Sequence, residues 1–345
     1  MNSFLQKIQS NFEKSRDNYD NISKSRYWKK SINNKIKLFN IKNLEKFRSN
    51  NLSKNIDDFY INQKGVYKIY DELEKDCGKS FINKMLSSKN IGKAKKIIKL
   101  NNKIVTASDL FHIKYIFDLN NSIKLKKINT ICEIGQGFGL LASKLLKIKN
   151  YKIILIDLPE SNYITIYYLK KLFPKKKIFM DIDMPNKKLT KKMLKHGDIF
   201  VITPWINIEN IKIDLFINSR SMMEMNTKSI LNYFNLIHTK IKKFGYFLCI
   251  NRYYKDLVGY PIEFHRYPFN DNWKTIISKS SWMQPHIHFL LVQNVNYKIS
   301  DIKKTLFEIR KEYLRQVKFD GSFIRRILPV ELYRFYKIFK NFIFN

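Results

Sequence analysis

Three glycines alternate with other residues directly after an apolar run. Gly135, Gly137 and Gly139 follow Glu133, and an apolar helical pattern begins at about Leu140. Because glycine has no Cβ, a backbone with this spacing can adopt positive φ angles and approach a ligand closely. The following helix would direct free N–H groups and a partial positive charge at the loop. The pattern therefore predicts a strand, a glycine loop and a helix that together hold a nucleotide-like cofactor.

The spacing of the glycines indicates which cofactor this is. A dinucleotide fingerprint, G-x-G-x-x-G, needs its third glycine where this chain has Leu140. The observed E-x-G-x-G-x-G is typical of S-adenosylmethionine (SAM) methyltransferases. Asp157 ends the next apolar run, where an acid can accept hydrogen bonds from ribose hydroxyls. The alternative is a glycine turn without a ligand. The predicted cofactor-binding residues are Glu133, Gly135, Gln136, Gly137, Phe138, Gly139, Asp157 and Leu158.

The composition excludes a disordered chain and leaves the charge open to two interpretations. The 345 residues are 44% hydrophobic, and 65 Lys and Arg against 29 Asp and Glu give a net charge of +36. The charge could serve nucleic acid or an anionic surface. Alternatively, it reflects a composition that places Lys on most exposed surfaces. In both cases we expect it to attract anionic substrates such as nucleotide sugars or phosphorylated glycan carriers.

Cysteine usage and the first residues indicate a cytoplasmic protein. Cys77, Cys132 and Cys249 form no disulfide framework, which fits a reducing compartment. The first residues lack the apolar core of a signal peptide. No apolar run reaches the roughly 18 residues that a membrane span requires.

The hydrophobic pattern predicts an α/β protein with a Rossmann-like, doubly wound, mostly parallel seven-stranded sheet. Residues 1–107 are predicted to be helical, without strands, and to cap the cofactor site or recognise the acceptor. Residues 108–298 form the predicted cofactor-binding domain, with a helix capped at Ser108–Asp109 before its first strand. Residues 299–345 are predicted to form a basic helical tail. Strands are predicted from about 130 and at 151–156, 199–204, 214–218, 246–251 and 288–293.

The carboxyl ends of these strands should carry the site, because ligands of open α/β sheets bind there. Ser219–Met225 follows the fourth predicted strand, where the acceptor or a catalytic group would lie. Glu224 is the candidate catalytic residue in this segment. The alternative is a carboxylate that stabilises the start of the next helix. Pro204 and Trp205 could wall an adenine or anchor a loop.

Histidines supply the second catalytic candidate. His265 lies in a loop rich in polar and aromatic groups, and a positioned base typically adds about 10²–10⁴-fold to a rate. The alternative is a surface or hydrogen-bonded loop residue. His286 and His288 would share one face of a strand, but two ligands without a third predict no metal site.

Several segments together resemble the bacterial sugar O-methyltransferases, a class I SAM-dependent family, over roughly residues 110–295. The resemblance implies a Rossmann-like fold, with SAM held by the glycine loop, Glu133 and Asp157, and methyl transfer to a sugar hydroxyl. One departure is Gln136, where the family usually has glycine. The matching segments are Ile131–Gly139, Ile156–Glu160, Tyr167–Leu169 with Phe173–Pro174, Asp214–Asn218 and Ser221–Met225.

Two other functions stay open at this point. One is an RNA-binding protein or RNA methyltransferase, although Asn218–Ser221 lacks the Asn/Asp-Pro-Pro-aromatic motif of base-amino methyltransferases. The other is a non-catalytic scaffold of the same fold in glycan assembly. The expected partner is a sugar, nucleotide-sugar or glycan acceptor, and nucleic acid is not expected.

Two aromatic, basic segments have alternative interpretations. Tyr27–Trp28 could stack on a sugar or base, or anchor packing. The segment 332–344 could rest on an anionic membrane at its inner face, or form a terminal helix packed on the domain.

Overall fold

The computed structural model of the chain describes residues 2–17, 39–50, 52, 61–256, 261–295 and 297–319. The Tyr27–Trp28 pair and the basic segment 332–344 lie outside these residues. The described helices are α1 (Asn2–Asp17), α2 (Ile41–Leu44), α3 (Gln63–Cys77), α4 (Lys79–Met85), α5 (Ala107–Ser122), α6 (Leu140–Leu145), α7 (Pro159–Leu172), α8 (Lys191–His196), α9 (Thr227–Lys240) and α10 (Asp301–Phe319).

The strands alternate with these helices through most of the chain. In chain order they are β1 (Ile98–Leu100), β2 (Lys103–Val105), β3 (Thr130–Ile134), β4 (Lys152–Ile156), β5 (Ile178–Met180), β6 (Lys188–Thr190), β7 (Ile199–Ile202), β8 (Asn207–Glu209), β9 (Ile213–Ser219), β10 (Ile241–Arg252), β11 (Tyr254–Lys255), β12 (Ile262–Glu263), β13 (Trp273–Ser281) and β14 (Gln284–Asn294).

The main sheet has the order β13-β14-β10-β9-β3-β4-β7-β5. Strand β14 runs antiparallel to both of its neighbours, and the other neighbouring pairs are parallel. The predicted α/β fold with a mostly parallel sheet is therefore confirmed. The chain order reverses on either side of β3, and such a switch point is where open α/β sheets bind ligands.

Two details of the predicted sheet were wrong. The described sheet has eight strands, not seven, and two of them, β5 and β13, lie outside the segments that the pattern predicted. Strand β5 has three residues, too few for a period to be visible. Strand β13 is an edge strand, and most of its side chains are partly or fully exposed, so it lacks the apolar run of a buried strand.

The prediction that residues 1–107 contain no strands was also wrong. Strands β1 and β2 form an antiparallel hairpin in which Leu100 pairs with Lys103. Asn101 and Asn102 make the two-residue turn with φ angles of 45° and 59°. Asparagine tolerates this left-handed region, and such turns match the twist of a hairpin.

Each central strand is buried on both faces. On strand β3, Ile131 packs into a cluster with α5, α6 and α7, whereas Cys132 and Ile134 pack into a second cluster with α9 and α10. The first cluster also includes Phe12 and Phe47 from the N-terminal region. The N-terminal helices therefore share a core with the sheet rather than packing by themselves.

Helix α5 is anchored at its start to the helix that follows the glycine loop. Its N-cap is Thr106, two residues before the predicted Ser108, and Asp109 completes a capping box with Thr106. The ammonium of Lys144, on α6, lies 2.5 Å from the Asp109 carboxylate. Burial raises the pKa of Asp109, but Lys144 and Arg48 outweigh this effect and lower it to about 2. The charged pair therefore fixes the relative position of α5 and α6.

Candidate active site at the carboxyl ends of the strands

The glycine loop joins β3 to α6 with every glycine in the left-handed region. The φ angles are 72° at Gly135, 59° at Gly137 and 84° at Gly139, the residue that precedes α6. A Cβ on Gly135 would lie 1.8 Å from Oγ of Ser221, so no larger residue fits beside the segment after β9. The predicted need for glycine therefore has a steric cause as well as a conformational one.

Glu133 lies beneath this loop with one oxygen that lacks a partner. Its side chain belongs to the buried set, with 2% exposure. Within the described part of the chain, no group donates a hydrogen bond to Oε2. Burial, and then the charge of Asp157, raise the pKa of Glu133 to about 8. A buried carboxyl in this state would gain a partner from a cationic ligand.

Asp157 follows β4 and closes on the same loop. Its Oδ2 accepts a hydrogen bond from the Gly137 amide at 3.0 Å, and its Oδ1 accepts one from the Leu158 amide at 2.7 Å. Burial raises the pKa of Asp157 to about 7, although both amides oppose this rise. Ligand hydroxyls could take the place of these amides at the carboxylate.

Gln136 and Phe138 turn away from the loop into the packing around it. The Gln136 amide nitrogen donates to Oδ1 of Asn162, on α7, at 2.7 Å, and its buried Oε1 has no partner among the described residues. The Phe138 ring meets Tyr168 at 5.1 Å, and the Arg48 guanidinium lies 5.1 Å above it. Gln136 therefore lies against α7, and Phe138 anchors the loop to the N-terminal region.

A cavity of about 810 Å³ opens at the carboxyl ends of β3, β4, β7, β9 and β10, within the size range of small-molecule sites. Gly139 and His265 are the two predicted site residues that do not line it. Its lining includes Ser108, His112, Glu133, Gly135, Gln136, Gly137, Phe138, Asp157, Leu158, Pro204, Trp205, Arg220, Ser221, Glu224, Tyr233, Arg252 and Lys255.

Away from the glycine loop, the cavity is lined by basic side chains around Glu224. The Glu224 carboxylate pairs with the ammonium of Lys255, which is 8% exposed. Burial lowers the pKa of Lys255, which the Glu224 charge partly restores. Burial, and then the charge of Arg220, lower the pKa of Arg252. Glu224 thus lies where it was predicted, although its catalytic role stays a prediction.

Two buried amides hold the segment that carries these residues. Asn218, at the end of β9, donates to the carbonyl of Ile134 at 2.8 Å and accepts from the Met222 amide at 3.2 Å. Asn251, on β10, donates to Oδ1 of Asn218 at 2.8 Å. These bonds connect three neighbouring strands, so the two asparagines position the cavity without lining it.

His112 is a cavity residue that sequence reasoning missed. Its Nδ1 lies 2.7 Å from the carbonyl oxygen of Ser108, one turn earlier on α5. Because a carbonyl only accepts, Nδ1 carries the hydrogen, and Nε2 keeps a lone pair in the neutral ring. Burial lowers the pKa of His112 to about 4, and Arg220 contributes. Lys255 was missed as well, and no local motif marks either residue.

The other histidines of interest lie outside the cavity. The His265 ring stacks on Tyr313, with centroids 5.4 Å apart, and its Nε2 is 3.9 Å from Glu263. Its catalytic role stays a prediction. His288 is buried, with its ring nitrogens 2.9 Å from Tyr253 Oη and 3.0 Å from Ser278 Oγ. Across the described ranges, no three His, Cys, Asp or Glu side chains form a group that could hold a metal ion.

The described residues contain no helix that could cross a membrane. None of their helices combines the length and the apolar character that crossing a bilayer requires.

Comparisons with known proteins give distant likenesses to solved structures. No protein-family model and no curated protein matches the chain. The mitomycin 7-O-methyltransferase MmcR is 11% identical over 55% of this chain and 57% of its own, with a TM-score of 0.37. A SAM-dependent methyltransferase from Aquifex aeolicus is 14% identical over 55% of this chain and 94% of its own, also at 0.37. The pyocyanin biosynthetic protein PhzM is 9% identical over 53% of this chain and 54% of its own, at 0.35.

The chain therefore spans just over half the length of MmcR and of PhzM. Because these identities and TM-scores are too low to carry over a function, the function of this chain is inferred from its own cavity.

Proposed function

We propose that this chain is a SAM-dependent methyltransferase that acts on a hydroxyl group of a sugar. The observation that carries the proposal is the buried, unpartnered Oε2 of Glu133 beneath a loop of three left-handed glycines. Asp157 approaches the same loop from β4. Two acids and a helix start around one loop match a ligand with an ammonium, a carboxylate and a ribose, which are groups that SAM combines.

The residues present fit this cofactor. Glu133 would accept a hydrogen bond from the ammonium, and the α6 N-terminus would face the carboxylate. Asp157 would exchange its amide donors for ribose hydroxyls. Pro204, Trp205 and Tyr233 line the cavity with apolar and aromatic surface suited to a base. When bound, SAM supplies a methyl group on a cationic sulfur.

The chain must also remove the proton that the acceptor hydroxyl loses. His112 is the candidate that we favour, because it lines the cavity and its Nδ1–H bonds to Ser108, which leaves Nε2 as the acceptor. Glu224 is the second candidate, but its carboxylate already contacts the ammonium of Lys255. We therefore assign His112 as the base.

A sugar acceptor is supported by two observations. The Asp157–Glu160 and Ser221–Met225 segments resemble those of sugar O-methyltransferases, and polar side chains line the acceptor half of the cavity. An RNA acceptor, or a scaffold without catalysis, would give different results in the tests below.

The cofactor is tested by calorimetric titration with SAM and with its product, S-adenosylhomocysteine. We expect saturable binding that Asp157→Ala weakens tenfold or more, because the variant loses the carboxylate at the loop. Asp71→Ala removes an exposed acid from α3 and serves as the matched control. Unchanged affinity in Asp157→Ala would refute the site.

The acceptor is tested by mass spectrometry of glycan precursors incubated with the chain and SAM. A gain of one CH₂ unit on a sugar is expected. Methylated RNA with unmodified sugars would support the RNA methyltransferase, and SAM binding with no methylated product would support the scaffold.

A further inference from the structure

We propose that Arg220, Arg252 and Lys255 form a subsite for a phosphate or diphosphate group of the acceptor. The acceptor would then be a sugar phosphate or a nucleotide-linked sugar rather than a neutral glycan. This inference rests on the proposed function, since it assigns the half of the cavity that the cofactor does not use.

The three side chains lie at or just after the ends of three consecutive strands. Arg220 follows β9, Arg252 ends β10 and Lys255 ends β11, and all three line the cavity. Each charge influences its neighbours, because Arg220 lowers the pKa of Arg252 and both arginines lower that of Lys255. Like charges gathered in this way repel one another unless an anion lies between them.

Two features of the arginines point to an anionic ligand. Nε of Arg252 is buried, and no acceptor among the described residues bonds to it. An unmade hydrogen bond on a charged group is costly, and a bound anion would supply the acceptor. Arg220 has a φ angle of 63°, which is strained for a residue with a Cβ, and its amide is fixed to the Ile250 carbonyl at 2.6 Å. Such strain concentrates at functional sites.

The charge of the subsite matches phosphate better than carboxylate. The side chains of Arg220, Arg252, Lys255 and Glu224, of which Lys255 and Glu224 form a pair, carry three positive charges and one negative charge. A phosphate monoester carries about −1.5 to −2 at neutral pH, whereas a carboxylate carries one charge. Guanidinium groups bind phosphate oxygens through two parallel hydrogen bonds, which favours arginine for this role.

The position of the subsite also fits methyl transfer. Arg220 contributes to the lowered pKa of His112, so the imidazole borders the cationic group. A phosphate bound there would hold the acceptor with a hydroxyl near Nε2 of His112. The negative charge of the phosphate would also offset the positive charge of Arg220, which lowers the pKa of His112.

The test is calorimetric titration of the full chain saturated with S-adenosylhomocysteine. The probes are inorganic pyrophosphate, UDP-glucose, glucuronate and glucose. We expect pyrophosphate and UDP-glucose to bind at least tenfold more tightly than glucuronate or glucose. We expect Arg252→Gln and Arg220→Gln each to weaken both phosphate probes tenfold or more, with S-adenosylhomocysteine binding changed less than twofold.

The control must separate a built subsite from the general attraction of a chain with a net charge of +36. Lys84→Gln removes one exposed charge from α4, away from the cavity, and should change pyrophosphate binding less than twofold. An equal loss in this variant, or glucuronate binding as tight as pyrophosphate binding, would overturn the subsite. Unchanged binding in both arginine variants would do so as well.

Two further measurements keep the outcomes distinct. A misfolded variant would be recognised because it would lose S-adenosylhomocysteine binding. Competition between pyrophosphate and UDP-glucose is measured on the unaltered chain, so it does not depend on the folding of any variant. Failure of the two to compete counts against the subsite. If the unaltered chain does not bind S-adenosylhomocysteine, the cofactor proposal fails, and pyrophosphate titrated alone still decides the subsite.

Discussion

The cavity has a cofactor half at the glycine loop, which carries acids, and an acceptor half around Glu224, which carries basic side chains. Burial shifts the pKa values of the two sets in opposite directions. At the glycine loop, burial raises the pKa values of Glu133 and Asp157, whereas in the acceptor half it lowers those of Arg252 and Lys255. In both halves the protein keeps ionisable groups in surroundings that disfavour their charged forms. Each half would therefore be stabilised by a ligand of the opposite sign, a cation at the loop and an anion at the arginines.

The local charge of each half, not the net charge of the chain, determines which ligands that half would bind. The net charge of +36 alone suggests an attraction for anions everywhere, yet the cofactor half presents two acids. Under the proposed function, a single cavity would bind a cationic donor in one half and an anionic acceptor in the other.

The largest effect is expected from His112→Ala, which removes the proposed base. Methyl transfer to the acceptor identified by mass spectrometry should fall about 10²–10⁴-fold, because no other group would take the hydroxyl proton efficiently. Single-turnover rates measure this loss, and S-adenosylhomocysteine affinity should stay within twofold.

The control for His112→Ala is His196→Ala, an exposed histidine on α8. A rate within threefold of the unaltered chain in His112→Ala would remove the base assignment and favour Glu224. The rate should not decline from pH 8 to pH 6 through His112, because a pKa of about 4 leaves it neutral over that range.

A smaller effect is expected from Glu133→Gln. A hydrogen bond to a charged group is worth about 1.5–3 kcal/mol, so SAM affinity should fall about 10- to 100-fold. The melting temperature without ligand should rise or stay unchanged, because the variant removes a buried acid with an unpartnered oxygen. Calorimetry and thermal unfolding measure the two quantities, and a fall in both would indicate a structural role instead.

The smallest effect is expected from pH. Because Glu133 and Asp157 have pKa values of about 8 and about 7, they ionise as the pH rises from 6 to 9, and SAM affinity should increase with release of protons. The gain cannot exceed tenfold per pH unit for each carboxyl. Titrations in buffers of different ionisation enthalpy count the protons.

Stability without ligand should change in the opposite direction. The folded-state pKa values of these carboxyls lie above their unfolded values, so the folded chain binds more protons between about pH 4 and pH 8. Their contribution to stability is therefore present at low pH and is lost as the pH rises through about 8. The shift in melting temperature caused by SAM should grow over the same range. A shift that shrinks with rising pH would contradict the acidic half.

The cofactor half was predictable because its residues are close in sequence. Glu133, the three glycines and Asp157 follow two consecutive strands, and a local pattern determines their positions. The acceptor half was predictable only in part. Arg220, Glu224 and Arg252 follow predicted strands, and the rule that ligands bind at carboxyl ends places them near the cavity.

His112 and Lys255 could not be found in this way, for a physical reason. His112 lies on a helix that is buried along most of its length, and only the packing of α5 against α6 directs one of its turns at the cavity. His265 shows the reverse case. Its loop has the composition of a site, but the packing of α10 against that loop places Tyr313 on its ring. Tertiary contacts between distant segments decide both positions.

The buried pair of Lys144 and Asp109 has a mechanical consequence. It ties α6, the helix that follows Gly139, to α5, the helix that bears His112, so a displacement of one helix would move the other. Binding of the proposed cofactor at the glycine loop would then also shift His112, the proposed base. A chain built in this way would favour ordered entry, with the donor arriving before the molecule it modifies.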